Sequence, residues 1–257
     1  MSVELLIANN VGEIVMNRPA KMNAFDDAMV AAMNQRLAEA ENARVRALLI
    51  RGEGPAFSAG RDLAGAEPGK EDAEAILKTV FNPVIRKVAN FPAPTFAAVH
   101  GPCLGVGLGI ALACDVVFMA EDAKTGSPFA RIGAVLDSGA HAFMTARIGA
   151  HRTLELIYSG RLITGAEAAQ IGLVNRALPR EALLDEARKL ALQTAQGPTA
   201  AFMESKRLIA RIREEGLGLE GVLEGEAKAQ GTAGRTEDYR EGISAFQEKR
   251  APKFVGR

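Results

Sequence analysis

HGPCLGVGLGIALACD (His100–Asp115) joins a glycine-rich turn to a short apolar helix. Backbone N–H groups at such a helix start have no intrahelical acceptor. Glycine there lets a ligand or another backbone come close. The spacing is not that of a dinucleotide site, which needs glycine at the first, third and sixth positions. Counting from Gly105, the sixth residue is Ile110, and no Walker A lysine follows. Two readings of these glycines stand, close approach of a ligand and close packing of the helix.

Working outward, VVFMAEDAKTGSPFARIG (Val116–Gly133) leads to AVLDSG (Ala134–Gly139), where Asp137 sits among apolar neighbours. Asp137 reads either as a working carboxylate, desolvated by Phe129, Val135 and Leu136, or as the N-cap of the helix that follows. His141, four residues on, is placed to touch it. On the other side, PAFSAGRDL (Pro55–Leu63) carries Gly60 in a run whose later N–H groups can converge on one acceptor. The plainer reading is a turn with Asp62 capping the next segment.

The rest of the chain alternates strands and helices. Val3–Ile7 and Val11–Met16 flank Asn9-Asn10 as a hairpin. Asp26 or Asp27 caps a helix with Met29, Ala32, Met33 and Leu37 on one stripe. Val45–Ile50 is a buried strand. Residues 64–72 are a polar, glycine-bearing connection. Helical spacing resumes over Ala73–Ala89, with Ile76, Val80, Val84 and Val88 aligned, and Thr95–Val99 is a further strand. Ala140–Ile148 and Arg152–Tyr158 are helices broken at Gly149. This order predicts an α/β fold. Beyond Pro179 strand signals cease, and four helices follow over Arg180–Thr194, Pro198–Arg213, Leu219–Ala229 and Thr236–Lys249. A boundary near Gly197 divides a core, 1–196, from a helical region, 197–257, that is too small to stand alone.

Composition narrows the function. Lys+Arg and Asp+Glu balance at 31 each across 257 residues, so no net field recruits nucleic acid or an anionic membrane. The apolar run at Val106–Met119 is interrupted by glycines and Asp115, against a membrane span. No signal-peptide pattern opens the chain, and a cytoplasmic protein is expected. The two cysteines, Cys103 and Cys114, read as buried inert thiols. The histidines show no metal-ligand spacing, so no metal is expected. No G-x-S-x-G elbow is present, which disfavours a serine hydrolase.

PAFSAGRDL (55–63), HGPCLGVGLGIALACD (100–115) and SPFARIGAVLDSGA (127–140) together resemble the crotonase, or enoyl-CoA hydratase/isomerase, superfamily. NRPAKMNAF (17–25), GRLITGAEAAQIGLVNRAL (160–178) and EGISAFQEKRAPKF (241–254) extend the likeness over nearly the whole chain. The resemblance implies a crotonase-like ββα spiral with a C-terminal helical region, assembled as a homotrimer or dimer of trimers. It also implies an acyl-CoA substrate, with coenzyme A part of that substrate and no separate cofactor. The oxyanion-hole amides of the family map to the backbone N–H groups of Arg61 and Val106. Lys21, Ala59, Arg61, Asp62, Leu63, Val106, Phe129, Phe246 and Lys249 fall at substrate- or CoA-binding positions, the last two sometimes reaching a neighbouring subunit.

The departures from the family bear on the reaction. The two glutamates of family hydratases map to Gly109 and Phe129, which removes both carboxylates that hydration requires. The SPFARIGAVLDSG run is similar to enoyl-CoA isomerases with one acidic residue, including the ring-epoxide type of phenylacetate degradation. Asp137 holds that position. The implied activity is transposition of a C=C bond by a 1,3-proton transfer, with Asp137 as the shuttle. The rivals are another crotonase-type reaction (hydratase, hydrolase or decarboxylase) and a non-catalytic acyl-CoA-binding subunit.

Overall fold

The computed structural model describes residues 1–67 and 69–257; Pro68, in the 64–72 connection, lies outside the described residues. The elements run in the order β1 (Val3–Ala8), β2 (Val11–Met16), α1 (Asp27–Asn42), β3 (Ala47–Gly52), α2 (Ala73–Ile76), α3 (Asn82–Ala89), β4 (Thr95–Val99), β5 (Pro102–Leu104) and α4 (Val106–Ala113). They continue as β6 (Val116–Ala120), β7 (Lys124–Gly126), α5 (Ala140–Ser159), β8 (Ile163–Thr164), α6 (Gly165–Gln170) and β9 (Arg176–Leu178). Four helices close the chain: α7 (Arg180–Ala195), α8 (Thr199–Glu215), α9 (Leu219–Ala233) and α10 (Glu237–Gln247).

Six strands form one sheet in the order β1-β2-β3-β4-β6-β9, and a second sheet is ordered β5-β7-β8. Apart from the antiparallel β1–β2 hairpin, the large sheet is parallel. Its inner strands read ALLI, TFAAV and VVFMA, as expected where both faces are covered. Each turn of chain adds a strand to the large sheet, then one to the small sheet, then a helix. The loop after β3 joins the small sheet through a parallel bridge between Ser58 and Cys103. This is the crotonase-like ββα spiral, followed by a C-terminal helical region.

Helix α4 lies in the interior, packed against α3, α5, β4 and β5. All eight of its residues are buried, so it is apolar on every side rather than amphipathic. Cys103 and Cys114 lie in the same interior, and burial pushes both thiols up to about 12. Among the described residues no helix is long and apolar enough to cross a membrane.

Most expected elements appear, with local corrections. Asn9 and Asn10 take the left-handed conformation that a tight hairpin turn needs. Asp26 caps α1 by accepting the Met29 N–H at 2.8 Å. The strand expected at Val45–Ile50 lies two residues later, because the Val45 N–H is taken by Ala40 O and pairing with β2 starts at Ala47. The continuous helix expected over 73–89 is interrupted by a π-turn at Leu77–Phe81. Pro83 has no N–H for the carbonyl four residues back, and the ladder widens so that the Asn82 N–H reaches Leu77 O. Gly149, at φ +75° and ψ 166°, breaks α5 where expected. The small sheet answers to the second strand of each ββα turn that the resemblance implies; the apolar pattern alone does not show it, since its strands are two or three residues long and carry no period to read.

One charged cluster ties the sheet to α7. Glu13 on β2 is 9% exposed. It accepts Arg51 Nε at 2.6 Å, and Arg188 Nε and Nη2 at 2.9 and 2.8 Å. Burial alone would lift its carboxyl, but the Arg188 and Arg51 guanidiniums outweigh burial and hold it below the usual range. A lowered carboxyl stabilises the fold above its unfolded value of about 4.3, and that contribution is lost as pH falls through the folded value. Glu13→Gln removes the negative charge that two guanidiniums share and one of its two acceptor oxygens. It is expected to cost about 2–3 kcal/mol at pH 7, measured by urea denaturation, with the gap to wild type shrinking below about pH 4.

Candidate active site

Parallel strands present their C-terminal ends as one edge, and loops there line the crevice of an α/β sheet. The loops after β3 and β4 meet at that edge. Gly60, at φ +97°, stands so close to the second loop that a β-carbon on it would lie 3.0 Å from Leu104 O and 3.7 Å from Gly105 Cα. Ser58 braces the contact from inside. Its buried hydroxyl donates to Asn23 O at 2.8 Å and accepts the Gly60 N–H at 3.1 Å. Asn23, also fully buried, donates to Glu53 O and Ala56 O at 3.0 and 2.7 Å. Neither brace was anticipated, since a lone Asn and Ser in apolar runs carry no spacing signal.

Two main-chain donors flank this seam. Around Arg61, Phe25 N–H donates to Gly60 O at 2.7 Å and Asp62 N–H donates to Phe25 O at 2.9 Å. In that parallel bridge the N–H of Arg61 itself points away from Phe25. Val106 is the first residue of α4, where N–H groups lack an intrahelical partner. Among the described residues neither N–H has a backbone acceptor. Both N–H groups are thus left without a main-chain partner beside the seam. Phe129 covers the same helix start; its ring is 3.5 Å from where a β-carbon of Gly105 would stand.

Asp137 lies one turn further along α4, through its neighbour Ser138. A β-carbon on Gly109 would fall 2.5 Å from both Cβ and O of Ser138, so that glycine leaves the space Ser138 fills. The Ser138 hydroxyl donates to Asp137 Oδ1 at 2.8 Å. The N-cap reading of Asp137 is overturned: the cap of α5 is Gly139, and no side chain bonds to its first turn. Asp137 contributes only its main-chain carbonyl, which accepts the Ala140 N–H at 3.0 Å. Its side chain is half-buried. Burial raises its carboxyl above the ordinary carboxylate range, against smaller opposing effects of Ser138, His141 and Arg61. Leu136 (5% exposed) belongs to this interior, whereas Val135 is 77% exposed and gives Asp137 no cover, contrary to expectation. His141 acts through space, and among the described residues no hydrogen bond joins it to Asp137.

The remaining expected residues divide in two. Ala59, Arg61, Asp62 and Leu63 share the first loop. The Arg61 guanidinium bonds Glu71 Oε1 at 2.8 Å, so its charge is partly balanced by the 64–72 connection. Asp62 is committed to structure, accepting Arg18 at 2.9 Å and the Ala64 N–H at 3.0 Å. The Ala64 N–H and the Arg18 guanidinium hold its carboxyl below the usual range, with a smaller contribution from nearby Lys21. Lys21 is exposed and has no ion pair among the described residues; Leu63 is 53% exposed.

Phe246 and Lys249 belong to the other group. Phe246 is 83% exposed, and the chain segment after α10 is anchored away from this edge. Arg46, just ahead of β3, donates to Phe254 O at 3.1 Å, Gly197 O at 2.5 Å and Thr199 Oγ1 at 3.0 Å. That is the opposite end of the sheet from Gly60.

The comparisons with known proteins agree with this architecture. A family model described as enoyl-CoA hydratase/isomerase matches residues 7–257. The chain is 32% identical over 259 residues to 1,2-epoxyphenylacetyl-CoA isomerase of Escherichia coli K12, covering 98% of this chain and 97% of that one. It is 36% identical over 253 residues to human enoyl-CoA hydratase domain-containing protein 2, mitochondrial, covering 96% and 86%. The crystal structure of enoyl-CoA hydratase from Bacillus anthracis superposes with a TM-score of 0.92 at 29% identity, over the full length of both chains. With its spiral fold, its paired loops and a family match over residues 7–257, the chain belongs to the enoyl-CoA hydratase/isomerase family.

Proposed function

We propose that this chain is an enoyl-CoA isomerase, moving a C=C bond of an acyl-CoA thioester by a 1,3-proton transfer. The observation that carries this reading is the state of Asp137. Among the described carboxyl groups displaced from their ordinary range, Asp137 is raised, whereas Glu13, Glu39, Glu53, Asp62, Glu155, Glu215 and Glu241 are all lowered. The lowered groups are tied to arginines. Asp137 is destabilised as an anion, which strengthens it as a base.

With a 3-enoyl thioester, Asp137 takes a proton from the carbon beside the carbonyl. The C–H electron pair forms a new double bond and pushes charge onto the thioester oxygen, giving a dienolate. The N–H groups of Arg61 and Val106 receive that oxygen. Asp137 then returns the proton two carbons further along, leaving the double bond conjugated with the carbonyl and the carboxylate restored. One base does both steps, so no second acid is required. Hydration, by contrast, needs a second group to activate water. The absent side chain at Gly109 and the phenyl ring of Phe129 argue against it, and Ser138 occupies the space over Gly109.

For the region 197–257 we propose a role in assembly, as a homotrimer or dimer of trimers. Phe246 and Lys249 would then meet the CoA held by a neighbouring copy. The exposure of the Phe246 side chain, and the anchoring of the segment that follows it at the opposite end of the sheet, support this reading.

Ultraviolet absorbance of the conjugated thioester tests the reaction, using linear and ring-derived 3-enoyl-CoA substrates. Asp137→Asn is expected to lower kcat about 10²–10⁴-fold, and retained activity would remove Asp137 from the mechanism. Val106→Pro deletes one donor at a helix position that accepts proline, and kcat is expected to fall about 10²–10³-fold with the fold intact. Asp137→Asn also makes a stability prediction. A carboxyl raised by folding costs stability once pH exceeds its unfolded value of about 3.9, and that cost vanishes below it. The variant should therefore melt higher than wild type at pH 7, by roughly 2–4 °C per kcal/mol relieved, and equally at pH 3.

A further inference from the structure

Ser138 is a buried residue whose placement the fold alone does not require. It is 3% exposed and holds φ +56°, a left-handed conformation that a serine adopts at some cost. Gly139 follows at φ +75°, and α5 begins with no side-chain cap. Serine beside a helix start usually gives its oxygen to the first turn. Here the hydroxyl instead donates to Asp137 Oδ1 at 2.8 Å, and it is the carboxylate's hydrogen-bond partner among the described side chains. Gly109 of α4 makes the seat, since a β-carbon there would lie 2.5 Å from Ser138 Cβ. A strained, buried serine thus forgoes a cap to hold one oxygen of one carboxylate.

We propose that Ser138 is the positioning residue of the Asp137 base, holding Oδ1 so that the transferred proton travels on Oδ2, and that Gly109 is the seat that keeps Ser138 there. The inference rests on the isomerase reading with Asp137 as shuttle. The Ser138 hydroxyl donates to Oδ1 whether Asp137 is ionised or carries the proton on Oδ2. The donor therefore keeps its place through both proton transfers, and the acid cannot rotate away from the intermediate between them. The other titratable or charged groups near Asp137 are His141, from α5, and Arg61, itself paired with Glu71 on the 64–72 connection. Both act without a hydrogen bond to the carboxylate among the described residues, so neither fixes which oxygen reacts.

The test follows kcat and KM against pH by conjugated-thioester absorbance for wild type, Ser138→Gly, Ser138→Ala, Gly109→Ala and Asp137→Asn. Glycine accepts φ +56° without strain, and alanine keeps the β-carbon against Gly109, so one of the two preserves the fold if the other does not. Each serine variant is expected to lower kcat about tenfold or more, with KM changed less than about threefold. The acidic limb of the kcat profile should also move up by as much as about one pH unit, because a donor to the ionised form is lost. Gly109→Ala should move the same limb by displacing Ser138. A reduced kcat with an unmoved limb would mean that Ser138 is only packing, and the proposal fails. Wild-type kinetics in the serine variants overturn it outright. If Asp137→Asn keeps full activity, the underlying isomerase reading fails instead, which is a separate result.

Discussion

The contact of two backbones at Gly60 and Leu104–Gly105 is the constraint on which the rest of the site depends. Backbones approach this closely only where no β-carbon intervenes. The approach places the N–H groups of Arg61 and Val106 on either side of one seam, and it does so with atoms whose positions the sheets dictate. Bridges to Phe25 on one side and Cys103 on the other fix the first loop from both edges. Ser58 and Asn23 then satisfy the polar groups that the contact buries. In the reaction we propose, donors fixed in this way need no rearrangement when charge develops on a bound oxygen.

The carboxylates of the chain fall into two economies of charge. Glu13 is buried beside two guanidiniums and stabilises the junction of β2, β3 and α7. Asp137 is half-buried beside one neutral hydroxyl, with no ion pair among the described residues. Folding makes the first carboxylate a weaker base and the second a stronger one. A group that the fold would be more stable without is commonly a working group, since activity and stability pull against each other at such places.

Much of the fold could be read from the sequence, because long apolar stripes and hairpin turns impose a period. The strand Thr95–Val99 and the break at Gly149 are examples. What could not be read is carried by contacts between distant segments. The π-turn at Leu77–Phe81 follows from Pro83 once its carbonyl partner is considered, but apolar spacing alone runs straight through it. The three short strands of the small sheet have too few residues to show alternation. At the site, family motifs single out Asp137, Arg61, Val106 and Phe129, whose segments gather around the start of α4. They do not single out Ser138, since Asp-Ser-Gly before a helix reads as a cap, and only Gly109 across the fold shows where the hydroxyl goes. The assignment of Val135 as cover for Asp137 failed for a similar reason: apolar character does not tell which side of a turn faces inward.

Arg46 has a consequence for the order in which the molecule comes together. Its three acceptors lie 151, 153 and 208 residues further along the chain. A chain made from its N-terminus therefore exposes this guanidinium through most of synthesis, while the parallel sheet is assembling beside it. Closing such distant contacts carries a large loop entropy and favours a late step. The sheet and its seam can form while the helical region is still emerging, and Arg46 then acts as the latch that draws the last segment across the base of the sheet.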